Sequence, residues 1–432
     1  MLPNFKIKHL GPIEDVEFEI NHFTVLTGPQ ASGKSTIAKV VYFFLSIKDD
    51  FIKVLTKPKF DKGVNQSYNE MINARLVSKF TGIFGSEDLL NSKILLECKF
   101  SDDTYINISI KDSDTQGAEH KTLNFELSQN LIDLINEKDE EISMVYEGEN
   151  DYFPVLSKQV EAIFNIDYDI LYIPAGRGMV TALSDQLNYL LADQDVLPYS
   201  NIDYCTTKFF MEILRIRSKF INGISRLLEE KKNTLSSQKE KDRLSEFVSQ
   251  INSILKGKYY YRPGNELLYL DNKDYVKMNY SSSGQQEIVW VLNIMFYYLI
   301  NGNKTTLIVE EPETHLFPDT QKKVTELLSM FYNFGNDVIF TTHSPYMLGQ
   351  VNNMILADDI AGIESREEII AESQIIKKTD ICALFVDDGK INEAINGNLI
   401  DNALIDGAST DINEQSDKIL KMIWEEKKCQ VP

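Results

Sequence analysis

A glycine-rich stretch near the amino terminus, GPQASGKST, has residue types and spacing suited to holding phosphates. Gly28 and Gly33 frame it, and Lys34 and Ser35 follow in the pattern G-x-x-x-x-G-K-S. Glycines let backbone N–H groups surround an anion, the lysine reaches the β- and γ-phosphates, and the serine hydroxyl is a ligand for Mg²⁺. The stretch lies between an apolar strand-like run and an apolar helix-like run, the context that this motif requires. We therefore predict that it binds a nucleoside triphosphate, with a chance glycine turn as the alternative.

Two acidic residues end a second apolar run, far downstream. In TLIVEEPETHLFP the run closes on Glu310 and Glu311, and Pro312 follows. A carboxylate at such a strand end can assist Mg²⁺, and its neighbour can polarise a water for attack on the γ-phosphate. Acid pairs at solvated strand ends are common, but this pair ends a buried strand. We predict a magnesium role for Glu310 and a base role for Glu311.

Two further segments carry groups that could contact a phosphate. YSSSGQQE places Ser282, Gly284 and Gln285 just before an apolar helix, where helix N–H groups attract anions. A serine N-cap is the plainer interpretation of this segment. IFTTHSP ends a short strand at His343, which could hydrogen-bond a γ-phosphate or its attacking water. Each segment alone would be structural, so their weight comes from occurring with the loop and the acid pair.

The elements that must position these groups alternate between strands and helices. FKIKHL, IEDVEFEI and FTVLT are strand-like, residues 35–46 are helix-like, and KILLECKF with YINISI predicts an antiparallel pair. YDILYIPA, TLIVEE and DVIFTTH are short buried runs typical of a mostly parallel sheet. We predict an α/β fold of the P-loop NTPase type, with a mixed sheet and flanking helices.

Four regions are predicted along the chain. Residues 1–180 form a first lobe with the phosphate loop, and residues 181–262 form a helical insertion. Residues 263–357 form a second lobe, and residues 358–432 form an α-rich extension. Within the insertion, two apolar stripes at helical spacing flank a charged segment at residues 231–243. That pattern predicts a short antiparallel arm of about 30 Å, at 1.5 Å of rise per residue.

Composition narrows the classes of function. The 432 residues include 44 Lys and Arg against 65 Asp and Glu, a formal charge of −21. Such a chain is a poor candidate for wrapping duplex DNA, because nonspecific affinity needs cations that displace condensed counterions. A local basic patch is still compatible with this composition, and such a patch could bind a nucleic-acid partner. The longest nearly apolar run, at residues 288–300, is too short to span a bilayer, so we expect a buried helix and no membrane association.

Cysteine usage and the amino terminus indicate a compartment. The four cysteines are widely separated, so the sequence predicts neither a zinc site nor a disulfide framework. MLPNFKIKHL lacks the basic-then-apolar order of a secretory signal. We expect a cytoplasmic protein.

In this order and these contexts, the four segments resemble the ATP-binding cassette (ABC) ATPase core over most of residues 1–357. The resemblance implies two heads that close on two ATP molecules, and a homodimer or larger homo-oligomer, because the chain has one phosphate loop. It implies ATP contacts in cis from Gly28, Gln30, Gly33, Lys34, Ser35 and Thr36, and in trans from Ser282, Gly284 and Gln285. It also implies Mg²⁺ held by Ser35 and Glu310, Glu311 as catalytic base, and His343 as γ-phosphate sensor.

Departures from the family pattern qualify that resemblance. The usual Leu-Ser-Gly-Gly-Gln signature is Ser-Ser-Ser-Gly-Gln here, and Glu310 replaces the usual magnesium aspartate, so hydrolysis is expected to be slow. The glutamine that normally links nucleotide to the helical lobe is not located. Arg177 follows the strand-like run YDILYIPA, at about the place in the chain where that glutamine is expected. It could act near the phosphates, or it could be a structural arginine.

The motif style narrows the branch of the superfamily. EEPETHLFP and TTHSP are similar to the SMC, RecF and overcoming-lysogenization-defect (OLD) proteins. The arm is short, its tip has no cysteine, and Asp387-Asp388 alone does not make the acidic cluster of a Toprim nuclease. The chain thus resembles stand-alone ATPases of prokaryotic anti-phage systems of Septu, retron and PARIS type. This implies a nucleotide-gated switch or scaffold with a separate effector, a nuclease or toxin.

Two alternatives stay open. A RecF-like DNA-binding ATPase would use cations such as Lys231, Lys232, Lys239 and Lys241. A nucleotide-locked scaffold without turnover would fit the altered signature and Glu310.

Overall fold

The computed structural model describes residues 3–56, 67–86, 90–115, 118–141, 149–182, 203–232, 237–270, 274–397, 399–401 and 403–429. An antiparallel sheet of five strands lies at the amino-terminal side, in the order β2-β1-β4-β5-β6. Its strands are β1 (Asn4–Leu10), β2 (Ile13–Glu19), β4 (Leu95–Lys99), β5 (Tyr105–Thr115) and β6 (Ala118–Leu127). Alternating burial along β1 and β2 reflects one face packed on the core and one facing solvent.

A central sheet of six strands positions the predicted site. Its order is β14-β13-β3-β12-β11-β7, and every neighbouring pair is parallel except β13 with β14. The strands are β3 (Phe23–Thr27), β7 (Asp169–Ile173), β11 (Thr305–Glu310), β12 (Asp337–Thr342), β13 (Ile381–Asp387) and β14 (Lys390–Glu393). β3, β11 and nearly all of β12 are buried on both faces, as expected for parallel strands covered by helices.

Helices cover both faces of this sheet. The first six are α1 (Lys34–Leu45), α2 (Ile47–Leu55), α3 (Tyr68–Phe84), α4 (Gln129–Glu141), α5 (Glu149–Phe164) and α6 (Gly178–Ala182). The next four are α7 (Tyr204–Ile216), α8 (Gly223–Lys231), α9 (Gln238–Leu255) and α10 (Ser283–Asn301). The last three are α11 (Pro318–Asn333), α12 (Pro345–Leu356) and α13 (Ala403–Cys429). This architecture confirms the predicted α/β class with a mixed sheet and flanking helices.

Two short sheets complete the described chain. One has the order β10-β9-β8, from β8 (Lys258–Arg262), β9 (Asn265–Tyr269) and β10 (Tyr275–Lys277). The other pairs β15 (Ile395–Asn396) with β16 (Leu399–Ile400).

Strand alternation divides the apolar interior into two cores. Along β11, Leu307 and Val309 belong to the core that contains α10, α11 and α12, whereas Ile308 belongs to the core that contains α1. Because side chains alternate between faces, Glu310 projects to the same face as Ile308, toward α1. The sheet therefore presents the end of β11 to the helix that follows the phosphate loop.

The inserted helices lie against the body of the protein. Leu244, Phe247 and Ile251 of α9 are buried in the core shared with α10 and α11. Arg243 donates to the carbonyl of Asn333 at 2.7 Å, which ties α9 to the end of α11. Residues 183–202 and 233–236 of the predicted insertion lie outside the described residues, and the four regional boundaries stay a prediction.

The apolar run at residues 288–300 lies within α10 and is mostly buried, as expected from its composition. Within the described part of the chain, no helix combines the length and the apolar character needed to cross a bilayer.

Candidate functional site

Three parallel strands bring their carboxyl ends to one edge of the central sheet. Glu310 at the end of β11 lies opposite Thr341 of β12, and Thr342 lies opposite Thr27 at the end of β3. The phosphate loop, residues 28–35, leaves this edge and leads into α1. The predicted phosphate loop and acid pair therefore start at the same edge of the sheet, with β12 between their strands.

Glycine is required at both ends of the phosphate loop. Gly28 has φ of +138°, and a Cβ there would lie 2.0 Å from the carbonyl oxygen of Val386. Gly33 has φ of +113°, and its Cβ would lie 2.4 Å from Cδ1 of Ile13. Both conformations are costly for residues with a side chain. The loop is thus packed closely against β13 and the β1–β2 turn.

Lys34 lies at the start of α1 with its ammonium group turned into the phosphate loop. Its Nζ donates to the carbonyls of Gly28 at 3.0 Å and Pro29 at 2.6 Å. Burial lowers the pKa of Lys34 to about 8, against the opposing attraction of Glu311 and Glu313. A phosphate at this loop would supply the anionic partner that the buried ammonium group needs.

The other predicted residues of the loop differ in exposure. Gln30 is exposed, whereas Ser35 and Thr36 are half-buried in the first turn of α1. The helix begins at Gly33 without a side-chain cap, so its first N–H groups have no side-chain acceptor at the N-cap. This arrangement suits a bound anion at the beginning of α1.

Glu310 is held by a tyrosine from the neighbouring strand. The Tyr172 hydroxyl of β7 donates to Oε1 of Glu310, and the Ala175 N–H lies 3.4 Å from Oε2. The Tyr172 ring also packs on Tyr42 of α1, with 5.1 Å between ring centroids. Tyr172 therefore orients the carboxylate while contacting the helix that carries Lys34. Sequence reasoning missed it, and its only signal is a tyrosine inside the run YDILYIPA.

Glu311 and His343 are brought together at the ends of β11 and β12. Nε2 of His343 lies 3.3 Å from Oε1 of Glu311, and both side chains are about one-third exposed. The hydrogen bond from His343 lowers the pKa of the Glu311 carboxyl, and its attraction to Lys34 acts in the same direction. Glu311 also has φ of +41°, an uncommon conformation for a residue with a side chain. An ionised, partly exposed carboxylate is suited to accept a proton from water.

A third acid, Glu313, forms hydrogen bonds to the end of β12 beside this pair. Its Oε1 accepts hydrogen bonds of 2.7 Å from the Thr342 hydroxyl and from the His343 backbone N–H. Burial raises the pKa of the Glu313 carboxyl. Glu313 thereby sets the backbone that presents His343 to Glu311. It was not predicted, although it lies two residues after the acid pair in EEPETH.

The segment YSSSGQQE forms the beginning of α10. Ser282 is the N-cap of α10 and makes a capping box with Gln285. The side-chain amide of Gln285 also donates to the carbonyl of Leu255, at the end of α9, at 2.7 Å. A Cβ on Gly284 would lie 2.7 Å from the carbonyl oxygen of His315. The segment therefore packs against the loop that follows Glu311, with Ser282 exposed.

Arg177 is a structural connector between these motifs. Its side chain is almost fully buried, and its Nε donates to the carbonyl of Glu287 in α10 at 3.0 Å. Its two other nitrogens donate to the carbonyls of Pro174, Glu310 and Glu311. The arginine thus joins the beginning of α10 to the ends of β7 and β11, which favours the structural role among the two considered.

The donor set is compatible with Mg²⁺ bound beside a nucleotide. Ser35 and Glu310 offer oxygen ligands, which are the donors that this cation prefers. Within the described ranges, no three or more His, Cys, Asp or Glu side chains form a cluster that could hold a metal.

Comparisons with known proteins agree with this geometry. The model of the AAA ATPase domain family matches residues 1–348. A search of the curated proteins finds no match.

Three solved structures show a distant likeness. The SMC head domain from Thermotoga maritima is 14% identical with a TM-score of 0.32, over 81% of this chain and 91% of that one. The Smc head domain of Pyrococcus furiosus, bound to the C-terminal domain of ScpA, is 13% identical with a TM-score of 0.39, over 98% and 100%. An SmcHead bound to the C-winged helix domain of ScpA is 14% identical with a TM-score of 0.41, over 90% and 95%. At these scores the likeness carries no functional argument.

Proposed function

The chain belongs to the AAA ATPase domain family and is an ATPase, and on that premise we propose that it is an ATP-gated homodimeric or larger switch of the ABC type. The observation that carries this proposal is the Glu311–His343 pair at the sheet edge from which the phosphate loop also leaves. Such an edge can hold a triphosphate and activate a water next to its γ-phosphate.

Each residue has a proposed task in hydrolysis. The N–H groups of residues 28–35 and the Lys34 ammonium bind the phosphates, and Gln30 and Thr36 line the same loop. Glu311 accepts the proton of the attacking water, and His343 contacts the γ-phosphate and orients Glu311. Ser35 and Glu310 would hold Mg²⁺, which supplies charge neutralisation at the phosphates when bound.

The signature segment is proposed to act on a partner's nucleotide. Ser282 is exposed at the beginning of a long helix, and its side chain and Gln285 are engaged within their own chain. Because Ser282 is exposed, the start of α10 is accessible to a second copy, which could place its triphosphate against the N–H groups there. In this arrangement Gly284 allows close approach, and each ATP contacts two chains.

Mixing two inactive variants tests this shared site. Lys34→Ala removes phosphate binding in cis, and Ser282→Arg blocks contact in trans, so each protein alone should lose turnover. In an equimolar mixture, half of the dimers contain one intact site, and turnover should return to roughly a quarter of wild type. Lys34→Ala mixed with Glu311→Gln is the negative control and should show no recovery, because both defects belong to the cis half and no dimer then has an intact site. No recovery in the first mixture would refute the shared site.

We further propose that the switch serves a prokaryotic anti-phage system and holds a separate nuclease or toxin. The motif style of EEPETHLFP and TTHSP supports this assignment. Co-expression with the protein encoded by the adjacent gene should protect cells from phage, and Lys34→Ala should remove that protection. Protection that survives Lys34→Ala would contradict a nucleotide-gated role.

A further inference from the structure

The carboxyl-terminal helix α13 exposes apolar side chains. Residues 411–422 are exposed all round, and Ile412, Ile419, Leu420 and Met422 are 55% to 67% exposed. A helix in water gains most of its stability from packing an apolar face, and this face has no covering in the single chain. Exposed aliphatic residues grouped on one helix are typical of an interaction surface.

A second exposed apolar surface lies after α12. Leu356, Ile360, Ile363 and Ile369 are 40% to 80% exposed. We call residues 356–369 the acidic strip, because five Asp and Glu residues accompany one Arg in this segment. Asp359 is paired with Lys378 at 2.6 Å and Glu367 with Arg366 at 3.6 Å, whereas the sequence supplies no further cation within the strip.

Toward its carboxyl end, α13 carries positive charge that complements the negative charge of the acidic strip. Residues 418–422, KILKM, contain Lys418 and Lys421 together with three of the exposed apolar residues. No acidic residue occurs between Asp417 and Glu425. Lys418 lies 3.6 Å from Glu414 of the same helix, with both side chains largely exposed, and such a pair is weak. We call residues 418–422 the basic end of α13.

The start of α13 is anchored beside the strip of its own chain. Ile400 lies three residues before the first residue of α13. Its backbone N–H and carbonyl form two hydrogen bonds of 2.8 Å with the side chain of Asn352 in α12. At 1.5 Å per residue, the basic end lies roughly 25 Å farther along the helix. Both surfaces are exposed in the single chain, so the basic end does not cover its own strip.

We propose that the basic end of α13 of one copy docks on the acidic strip of a second copy, and that two copies do so reciprocally. Apolar side chains meet apolar side chains, and Lys418 and Lys421 approach the acidic residues of the strip. A reciprocal contact of this kind closes around a two-fold axis. It needs no nucleotide and uses a surface different from the ATP edge, so together with the proposed ATP-dependent contact it would build assemblies larger than dimers.

Measurements of mass in solution without nucleotide, on the Lys34→Ala protein, isolate this contact from the ATP-dependent one. Over rising protein concentration, Ile419→Glu and Ile369→Glu should each weaken self-association at least tenfold. Val155→Glu, at an equally exposed apolar position on α5, is the matched control and should leave it unchanged. A Lys34→Ala protein that stays monomeric at every concentration would overturn the proposal.

Mixing and charge reversal distinguish the proposed pairing from others. Ile419→Glu and Ile369→Glu proteins should bind each other more tightly than either binds itself, because the mixed dimer keeps one intact contact. Lys418→Glu with Lys421→Glu should weaken association, and Glu367→Lys with Glu368→Lys in the same chain should restore it. Loss caused by the α13 change alone, with no effect of Ile369→Glu and no restoration, would mean that α13 pairs with another surface and would overturn the proposal. Unchanged unfolding midpoints in all variants would exclude misfolding.

Discussion

At the scale of single residues, the hydrogen-bond partners of Glu310, at the end of β11, determine how its carboxylate is held. Glu310 accepts a hydrogen bond from the Tyr172 hydroxyl at one carboxylate oxygen, and the Ala175 N–H lies 3.4 Å from the other. The carboxylate is nearly buried, so losing that donor would leave a charged oxygen without its partner. Tyr172 is accordingly a positioning residue for the proposed magnesium ligand.

Removal of the Tyr172 hydroxyl should weaken the contribution of Mg²⁺ to ATP binding. In Tyr172→Phe, we expect ATP affinity to fall roughly fivefold with Mg²⁺ present, about the free energy of one hydrogen bond. Affinity without Mg²⁺ should be unchanged. Equilibrium titration with a fluorescent ATP analogue measures both. Tyr298→Phe, whose hydroxyl bonds Glu212 at 3.0 Å, is the control, and an equal loss with and without Mg²⁺ would argue against the positioning role.

The lowered pKa of Lys34 predicts proton uptake on ATP binding. The free protein has a Lys34 pKa of about 8, so at pH 8.5 the side chain is mostly neutral. Bound phosphates favour the charged form and raise this pKa, so binding should take up on the order of half a proton or more. Calorimetry in buffers of different ionisation enthalpy measures that uptake. It should vanish in Lys34→Arg, because arginine stays protonated; equal uptake in both proteins would assign the proton elsewhere.

At the scale of elements, one arginine joins three of them. Arg177 donates to carbonyls at the ends of β7 and β11 and in α10, so it joins α10 to the strand ends that carry Glu310 and Glu311. A shift of α10 caused by a partner chain would reach the carbonyl of Glu311 through this side chain. The same helix is held to the following loop by the close approach of Gly284 to His315.

Substitution of Arg177 should cost stability as well as turnover. Arg177→Lys keeps the charge but loses the planar fork, so about two buried carbonyls lose their donor, at a cost of about 2–4 kcal/mol in the free energy of unfolding. Urea denaturation measures this cost. Arg226→Lys, in an exposed pair with Glu230, is the control and should change stability by less than about 0.5 kcal/mol. A stable Arg177→Lys protein would show that the connector is dispensable.

Local pattern predicted much of the fold, because the phosphate loop, the buried strands and the helix that begins within YSSSGQQE each carry their own signal. Tyr172 and Arg177 were harder, because their roles depend on β7 lying beside β11, a pairing of residues more than 130 positions apart. Glu313 could have been suspected from EEPETH, but its bonds to Thr342 and His343 depend on β12 as the neighbour of β11. Long-range register, which no local pattern encodes, accounts for these omissions.

At the scale of the whole molecule, a formal charge of −21 works against association of like chains, so contacts that place opposite charges together locally are favoured. The ATP edge would do so through the triphosphate held by one chain and the partial positive charge at the start of α10 in the other. The basic end of α13 and the acidic strip would do so directly. Assembly through the first contact is expected to depend on ATP, and assembly through the second on ionic strength.

The mass of the Glu311→Gln protein in solution tests the central claim most directly. Without its proposed base, the protein should bind ATP but fail to hydrolyse it, so Mg²⁺ and ATP should at least double its mass relative to the nucleotide-free protein. The double variant Lys34→Ala, Glu311→Gln should show no such increase, because its phosphate loop cannot hold ATP. A Glu311→Gln mass that is the same with and without Mg²⁺ and ATP would contradict an ATP-gated assembly.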